Sequence, residues 1–387
     1  MPSPLRRFLI FLILTSLSLL PAKLTACQIC LPIPLKSLAD KIIEAAYVSL
    51  ARENPNKPFS LISVEDLKGV PAQPEIDLFL DSSTRRLLDV YPDRKIICTR
   101  LSDAPEESWQ RIGTLSPELE PIVLETLKQS ANWEKDPSQR LKYFSQLFGH
   151  ADTQIRTLAH LEVARAPYGE IRTLKNLLPP EKVRSFLSQL RYLEWHALYI
   201  ILLATSDEEQ DQQLIREKMG TAIQFSFTVQ LAAWATAYLE IDQGEALTFL
   251  EEHYLQNPNR SPKELKAIYQ AFSAHGTGGH QHLRDRIVEN YRVLLKSSPE
   301  LAAAIVTDLE LWQRWDLTDE ITSAIPSVTD MSQVLQLRSY LRKAEEATSS
   351  STSLESSTTD GGILAIGIFI ALPVLLVVTL RLRKFFN

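Results

Sequence analysis

The chain has 387 residues, of which 45% are hydrophobic, with 41 Lys and Arg against 47 Asp and Glu for a formal net charge of −6. That apolar supply supports packed cores for two ordinary domains and excludes a wholly disordered body. The basic residues are scattered, with no aromatic-studded stripe to track phosphates, which excludes nucleic acid as a partner. Twelve glycines stand beside abundant Leu, Ala, Glu and Gln, so the expected class is α+β and mainly α.

At the N-terminus, Arg6 and Arg7 precede an apolar run from Phe8 to Leu20. The run is too short to span a bilayer and has the size of a signal-peptide core, ended by Pro21. Residues 1–26 are therefore expected to be a signal peptide. Leu24-Thr25-Ala26-Cys27 resembles the lipobox of bacterial lipoproteins, which would make Cys27 an acylated N-terminus; cleavage after Ala26 by an ordinary signal peptidase is the other reading.

A small β module is expected over residues 27–115. After a short helical pattern at Ser37 to Ala45, the runs Ala46 to Arg52, Phe59 to Leu67, Ile76 to Leu80 and Lys95 to Arg100 are alternating or β-branched and bounded by Pro, Gly or Asn. They predict a small barrel or sandwich. The order of an N-terminal cysteine cluster, a short helix, "AAYVSLARE", "FSLISVEDLKG", "EIDLFLD" and "RKIICTR" resembles netrin-like, tissue-inhibitor-like modules, whose fold is OB-like. The spacing Cys27-x-x-Cys30 departs from the C-x-C of that family, in which the N-terminal cysteine chelates a protease zinc. The resemblance implies a protease inhibitor; acylation of Cys27 would abolish that site. In an oxidising compartment Cys30 and Cys98 are the natural disulfide pair if Cys27 is lipidated. A redox role for Cys27 and Cys30 is disfavoured by Leu31-Pro32-Ile33-Pro34, which cannot begin the helix that lowers a thiol pKa.

From residue 117 to 347 apolar spacing switches to 3 and 4, with breaks near Pro137, Gly149, Pro167, Pro179-Pro180, Ser206, Gly244, Pro258, Gly276 to Gly279, Pro299 and Pro326. Some helices are apolar on more than one face, as at Trp195, Leu198, Tyr199, Ile201 and Leu202, or Phe227, Leu231, Trp234, Tyr238 and Leu239. Helices of that kind need neighbours on both sides, the property of a stacked array. "LFGHADTQIRTLAHLEVARAP" is similar to the unit of HEAT-like repeats, with Asp152, Ile155, Arg156, Ala159 and Leu161 in the matching positions. An irregular helical domain is the alternative. With the export signal, "DSSTRRLL" at Asp81 to Leu88 and the β module, the whole chain resembles uncharacterised bacterial envelope proteins with HEAT-like repeats. Array contacts are local, so the array is expected to fold without the module before it.

Residues 348–360 are nearly all Ser and Thr and read as a solvated tether. Gly361 to Leu380 carries no charge, and at about 1.5 Å per residue it matches a hydrocarbon core of about 30 Å. Arg381, Arg383 and Lys384 in the tail 381–387 place the C-terminus in the cytoplasm and the body outside, at the periplasm or cell surface. The spacer, Gly361-Gly362, the apolar run and the basic tail also resemble a cleaved sorting signal.

Catalytic fingerprints are missing: there is no G-x-S-x-G, P-loop or dinucleotide motif, and no cofactor is implied. His275, His280 and His282 are the candidate metal ligands, set in a glycine-rich stretch that is expected to be a solvated loop. His160, His196 and His253 are single histidines on helices. Ser82-Ser83-Thr84 with Arg85 and Arg86 is a nucleophile loop or anion nest in one reading and a capped helix start in the simpler one. The expected function is a membrane-anchored scaffold that binds another envelope protein or peptide without catalysis. An envelope enzyme with an unrecognised site and the inhibitor are the alternatives.

Overall fold

A computed structural model describes Ile29 and residues 36–356, apart from 72, 103, 105–107 and 176–177. The expected signal peptide, Cys27, Cys30, the apolar segment 361–380 and the basic tail lie outside the described residues. Among those described, no helix is long and apolar enough to cross a membrane.

The chain is mainly helical, with one small curled antiparallel sheet near its N-terminus. Helix α1 (Leu38–Glu44) begins in a capping box, where the Ser37 hydroxyl accepts from the Asp40 N–H and the Asp40 carboxylate accepts from the Ser37 N–H. Strands β1 (Tyr47–Glu53), β2 (Ser60–Lys68) and β3 (Glu75–Phe79) follow, then helix α2 (Ser82–Val90), β4 (Lys95–Arg100) and β5 (Gln110–Leu115). Asp81 caps α2 by accepting from Thr84 N, so the Ser-Ser-Thr stretch is a helix start. The sheet order is β3-β2-β1-β4-β5. The expected small barrel or sandwich is one curled antiparallel sheet, with β3 and β5 as its two edges among the described residues. Closure is not needed to hide one face: Val48, Leu50, Ile97 and Leu115 belong to a core shared with α1 and the first array helices. Ala51, Leu61, Ile76, Ile96, Cys98 and Trp109 form a separate small cluster.

Helices α3 (Glu120–Lys135), α4 (Pro137–Ser145), α5 (Thr153–Ala164), α6 (Tyr168–Ile171), α7 (Pro180–Leu187) and α8 (His196–Ala204) build the first part of the array. Asp152 caps α5 through the Gln154 and Ile155 N–H groups, and Ile155 and Ala159 are buried. Every residue of α8 after His196 is buried, as its many-sided apolar pattern requires. The sheet and array are joined by charge as well as by core. Arg140 forks between Asp40 of α1 and Glu162 of α5, at 2.7 Å to each, and Arg165 also meets Asp40.

The second part comprises α9 (Glu209–Phe225), α10 (Leu231–Leu250), α11 (Pro262–Gly278), α12 (Arg284–Ser297), α13 (Ala302–Trp312), α14 (Thr318–Ala324) and α15 (Met331–Ser356). A second large core runs through these helices. Helix α10 is broken at Gln243, whose φ of 46° and ψ of −110° are not helical, beside the Gly244 at which a break is expected. Phe227, expected on that helix, instead lies in the loop before it. Helix α15 continues to Ser356 and so takes in most of the stretch expected to be an extended tether.

Candidate functional site

The second core and the first meet along α10, and there the structure gathers a group of buried and half-buried polar side chains. Glu240 lies in α10, one turn before the break. His275 is in α11, and His280 follows that helix's end. Tyr168 opens α6, and Arg172 follows it. Among the described residues, Glu240, His275 and His280 are the one His/Cys/Asp/Glu group whose ligand atoms converge, all within 4.8 Å of one another.

This corrects the expectation of a solvated loop. His275 is fully buried within α11, and the helix runs on to Gly278. The glycines are required by packing. A Cβ on Gly278 would stand 2.8 Å from Gly169 N, and one on Gly276 would stand 2.3 Å from the Trp312 ring. Gly278 and Gly169 thus let the backbones of α11 and α6 touch. His282 is left outside the group and exposed, its ring edge-on to His280 at 5.7 Å.

The carboxylate and both imidazoles at the centre are hydrogen-bonded. Arg172 donates to Glu240 Oε1 from Nε at 2.9 Å and from the guanidinium end at 2.7 Å. Tyr168 donates its hydroxyl to Glu240 Oε2 at 2.5 Å. His275 Nε2 lies 2.9 Å from the carbonyl oxygen of Thr236, and His280 Nε2 lies 3.1 Å from that of Glu240. A carbonyl only accepts, so both Nε2 atoms carry protons and donate. The two rings stack at 5.3 Å and within 5° of parallel. Burial, the largest cause, pushes the His275 imidazole down to about 4, so it is neutral at ordinary pH.

The chemistry follows from those roles. A metal needs imidazole lone pairs, whereas both nitrogens nearest Glu240 present N–H groups to carbonyls. The Arg172 guanidinium beside the carboxylate adds a fixed positive charge that disfavours a cation. The same contacts suit a helix end. Glu240 is in the last turn before the break at Gln243, where carbonyls lose their helical partners and a histidine side chain can replace them, while Thr236, one turn earlier, offers its carbonyl's second lone pair to His275. His280 thereby closes the first half of α10, and Arg284 does the same for α11 by donating twice to Gly276 O, at 2.9 and 2.7 Å.

The other histidines fall into the core or onto helices. His160 is buried against Phe148, with ring centroids 4.4 Å apart. Its Nδ1 donates to Arg156 O at 2.6 Å, its Nε2 accepts from the Tyr199 hydroxyl, and burial pushes it down to about 4. His253 packs edge-on to Phe249. Cys98 is buried in β4, and burial pushes its thiol up to about 12; its expected partner Cys30 is outside the described residues.

Comparison with family models, with curated proteins and with solved structures finds no match. Residues that no sequence motif marked complete the picture. Asp308 is buried in the second core and accepts from the Tyr291 hydroxyl at 2.6 Å and the Ser273 hydroxyl at 2.8 Å, and burial pushes it up to about 6. Its hydroxyl partners come from α11 and α12, a pattern that only the fold assembles.

Proposed function

We propose that this chain is a protein-binding scaffold with a HEAT-like helical array, held outside the cytoplasmic membrane and devoid of catalysis. One observation carries the reading: the end of α9 and the loop that joins it to α10 present Phe225, Phe227 and Val229 to solvent at 63%, 52% and 67% exposure. Ser226 and Gln230, with φ of 51° and 55°, are both in the left-handed region and hold the loop in a turn its residue types do not favour. Two aromatics and a valine on so short a turn form a compact apolar anchor of the kind that fills a partner's pocket.

The placement of the loop supports the same reading. Glu240 meets His280, Thr277 meets Trp312, and Tyr340 of α15 donates to Arg314 O, so these groups share one end of the helices. Helix α15 leaves the array at that end, while the α9–α10 loop lies at the other end of the first half of α10. A membrane segment following α15 would leave the loop facing away from the bilayer, toward an envelope protein or peptide.

The test is the triple substitution Phe225→Ser, Phe227→Ser and Val229→Ser, with pulldown from solubilised envelope. Exposed positions of this kind change stability by about 0.5 kcal/mol or less, so the melting temperature should hold. A defined partner recovered by the natural chain should be lost from the triple variant. Equal recovery of that partner by both proteins would overturn the reading.

A further inference from the structure

Strand β3 ends the sheet order, with no neighbour beyond it among the described residues. In an antiparallel sheet every second residue of an edge strand points its N–H and C=O outward, a template for another strand. The five residues of β3 contain no proline and no lysine, two of the common protections of such an edge. Ile76 is buried and Leu78 half-buried on one face, while Glu75, Asp77 and Phe79 alternate onto the other and are exposed. Neither Glu75 nor Asp77 has an ion pair or a side-chain hydrogen bond among the described residues.

The end of this edge is an aromatic platform. Phe79, 74% exposed, stacks on Phe59 with centroids 5.9 Å apart and ring planes within 16°. Phe59 holds a φ of 63°, a conformation unfavourable for a bulky side chain. Glu53 fixes it there, accepting from Phe59 N at 3.0 Å and from Arg85 Nε at 2.8 Å, while the Arg85 guanidinium sits over the Phe59 ring at 5.0 Å. Phe59 also closes the turn between β1 and β2, where Asn54 N donates to Ser60 O and Leu80 N to Phe59 O, so the exposed stack is held by the backbone of the hairpin as well as by Glu53 and Arg85.

We propose that the outer edge of β3 takes an extended, basic segment of a partner protein as a sixth strand. Backbone hydrogen bonds would supply the pairing and the Phe59–Phe79 stack an apolar anchor at its end. Charge selects the occupant. A second copy pairing edge to edge would bring carboxylates against carboxylates, which is destabilising between strands, whereas lysines at alternate positions would face Glu75 and Asp77. This surface is separate from the α9–α10 loop, so either can fail while the other stands.

The experiment uses the full chain and a fluorescent octapeptide that alternates lysine with valine and ends in phenylalanine. Two control peptides replace every lysine by glutamate or N-methylate alternate amides of the lysine peptide. The lysine peptide should bind saturably, and the glutamate and N-methylated peptides should each bind at least tenfold more weakly. Glu75→Lys with Asp77→Lys, and separately Phe79→Ser, should each weaken the lysine peptide by tenfold or more at unchanged melting temperature. No binding of the lysine peptide, equal binding of either control, or binding untouched in both variants overturns the proposal; the peptide controls decide it even where a variant fails to fold.

Discussion

The sheet and the junction at α10 distribute their unusual residues in opposite ways. At the junction, residues of catalytic type are engaged by their neighbours: half-buried Glu240 by Arg172 and Tyr168, buried His275 and half-buried His280 by helix carbonyls. On the sheet, among the described residues, the carboxylates of Glu75 and Asp77 are left unengaged and Phe79 stands exposed, stacked on Phe59, along an edge strand. In this chain, chemically rich side chains act as structural struts, and the features that can meet a partner are plain carboxylates and aromatics. Residue type alone would have ranked the two regions the other way round.

The comparison breaks most severely if the two regions can be separated. The first large core contains Ile42, Val48, Leu50 and Ile97 from the sheet side together with Ile122, Leu141, Ile155 and Trp195 from the array. Deleting residues 27–115 would uncover that face and leave Arg140 and Arg165 without Asp40, the loss of a shared partner for two half-buried cations. The isolated segment 117–347 is expected to lose cooperative melting in its first part, through about residue 204, while the second core persists. Circular dichroism with limited proteolysis checks this. A fully cooperative, protease-resistant segment would restore the sequence-based expectation that the array folds alone.

Acid sharpens the contrast next. His160 and His275 titrate near 4 in the folded chain against an ordinary value of about 6.5, so the folded state binds their protons less readily than the unfolded state. Their stabilising contribution is complete above about 6.5 and is lost as pH falls toward about 4, roughly 3 kcal/mol for each at that lower limit. Asp308 opposes them. Its folded value near 6 lies above the ordinary carboxylate value of 3.8, so its contribution is largest in acid and falls as pH rises from about 4 to about 6. The net expectation is a decline in stability on acidification from pH 6.5 to pH 4, shallower in His275→Gln and steeper in Asp308→Asn. Urea titrations across that range measure the slopes; a flat profile in the natural chain would mean that these side chains are not buried as described.

Much of this architecture is written locally. Lys95–Arg100 has the same bounds in sequence pattern and structure, and Asp81 and Asp152 cap the helices whose starts their positions suggest. Strand β5 is not legible, because Gln110, Arg111, Gly113 and Thr114 carry no strand alternation and the segment pairs only as an edge. Glu240 cannot be assigned to the histidines from the sequence: it lies 40 positions before His280, on a helix that reads as apolar on more than one face. The histidine stretch reads as a solvated loop for a related reason. Gly276, Gly278 and Gly279 look like loop residues until the neighbours that crowd them are known: Trp312 at the first, Gly169 at the second, His275 and Tyr168 at the third.

That crowding gives the last and smallest expected effect. In an isolated helix, Gly278→Ala would be favourable by up to about 1 kcal/mol, because alanine restricts the unfolded chain and is the better helix former. In this chain the added methyl would meet Gly169 N at 2.8 Å and Gly169 Cα at 3.2 Å, both backbone atoms that cannot rotate away. Separating α11 from α6 would also loosen Tyr168, which holds Glu240 from the next position, so the strain reaches the polar junction. Overpacking of this kind costs about 1–3 kcal/mol. Gly149→Ala is the matched control, since nothing lies within 4 Å of the Cβ it would add. Denaturant midpoints should therefore fall for Gly278→Ala and stay nearly level for Gly149→Ala. Equal midpoints would return the glycine-rich stretch to a solvated loop and free His275 and His280 from the structural role assigned to them.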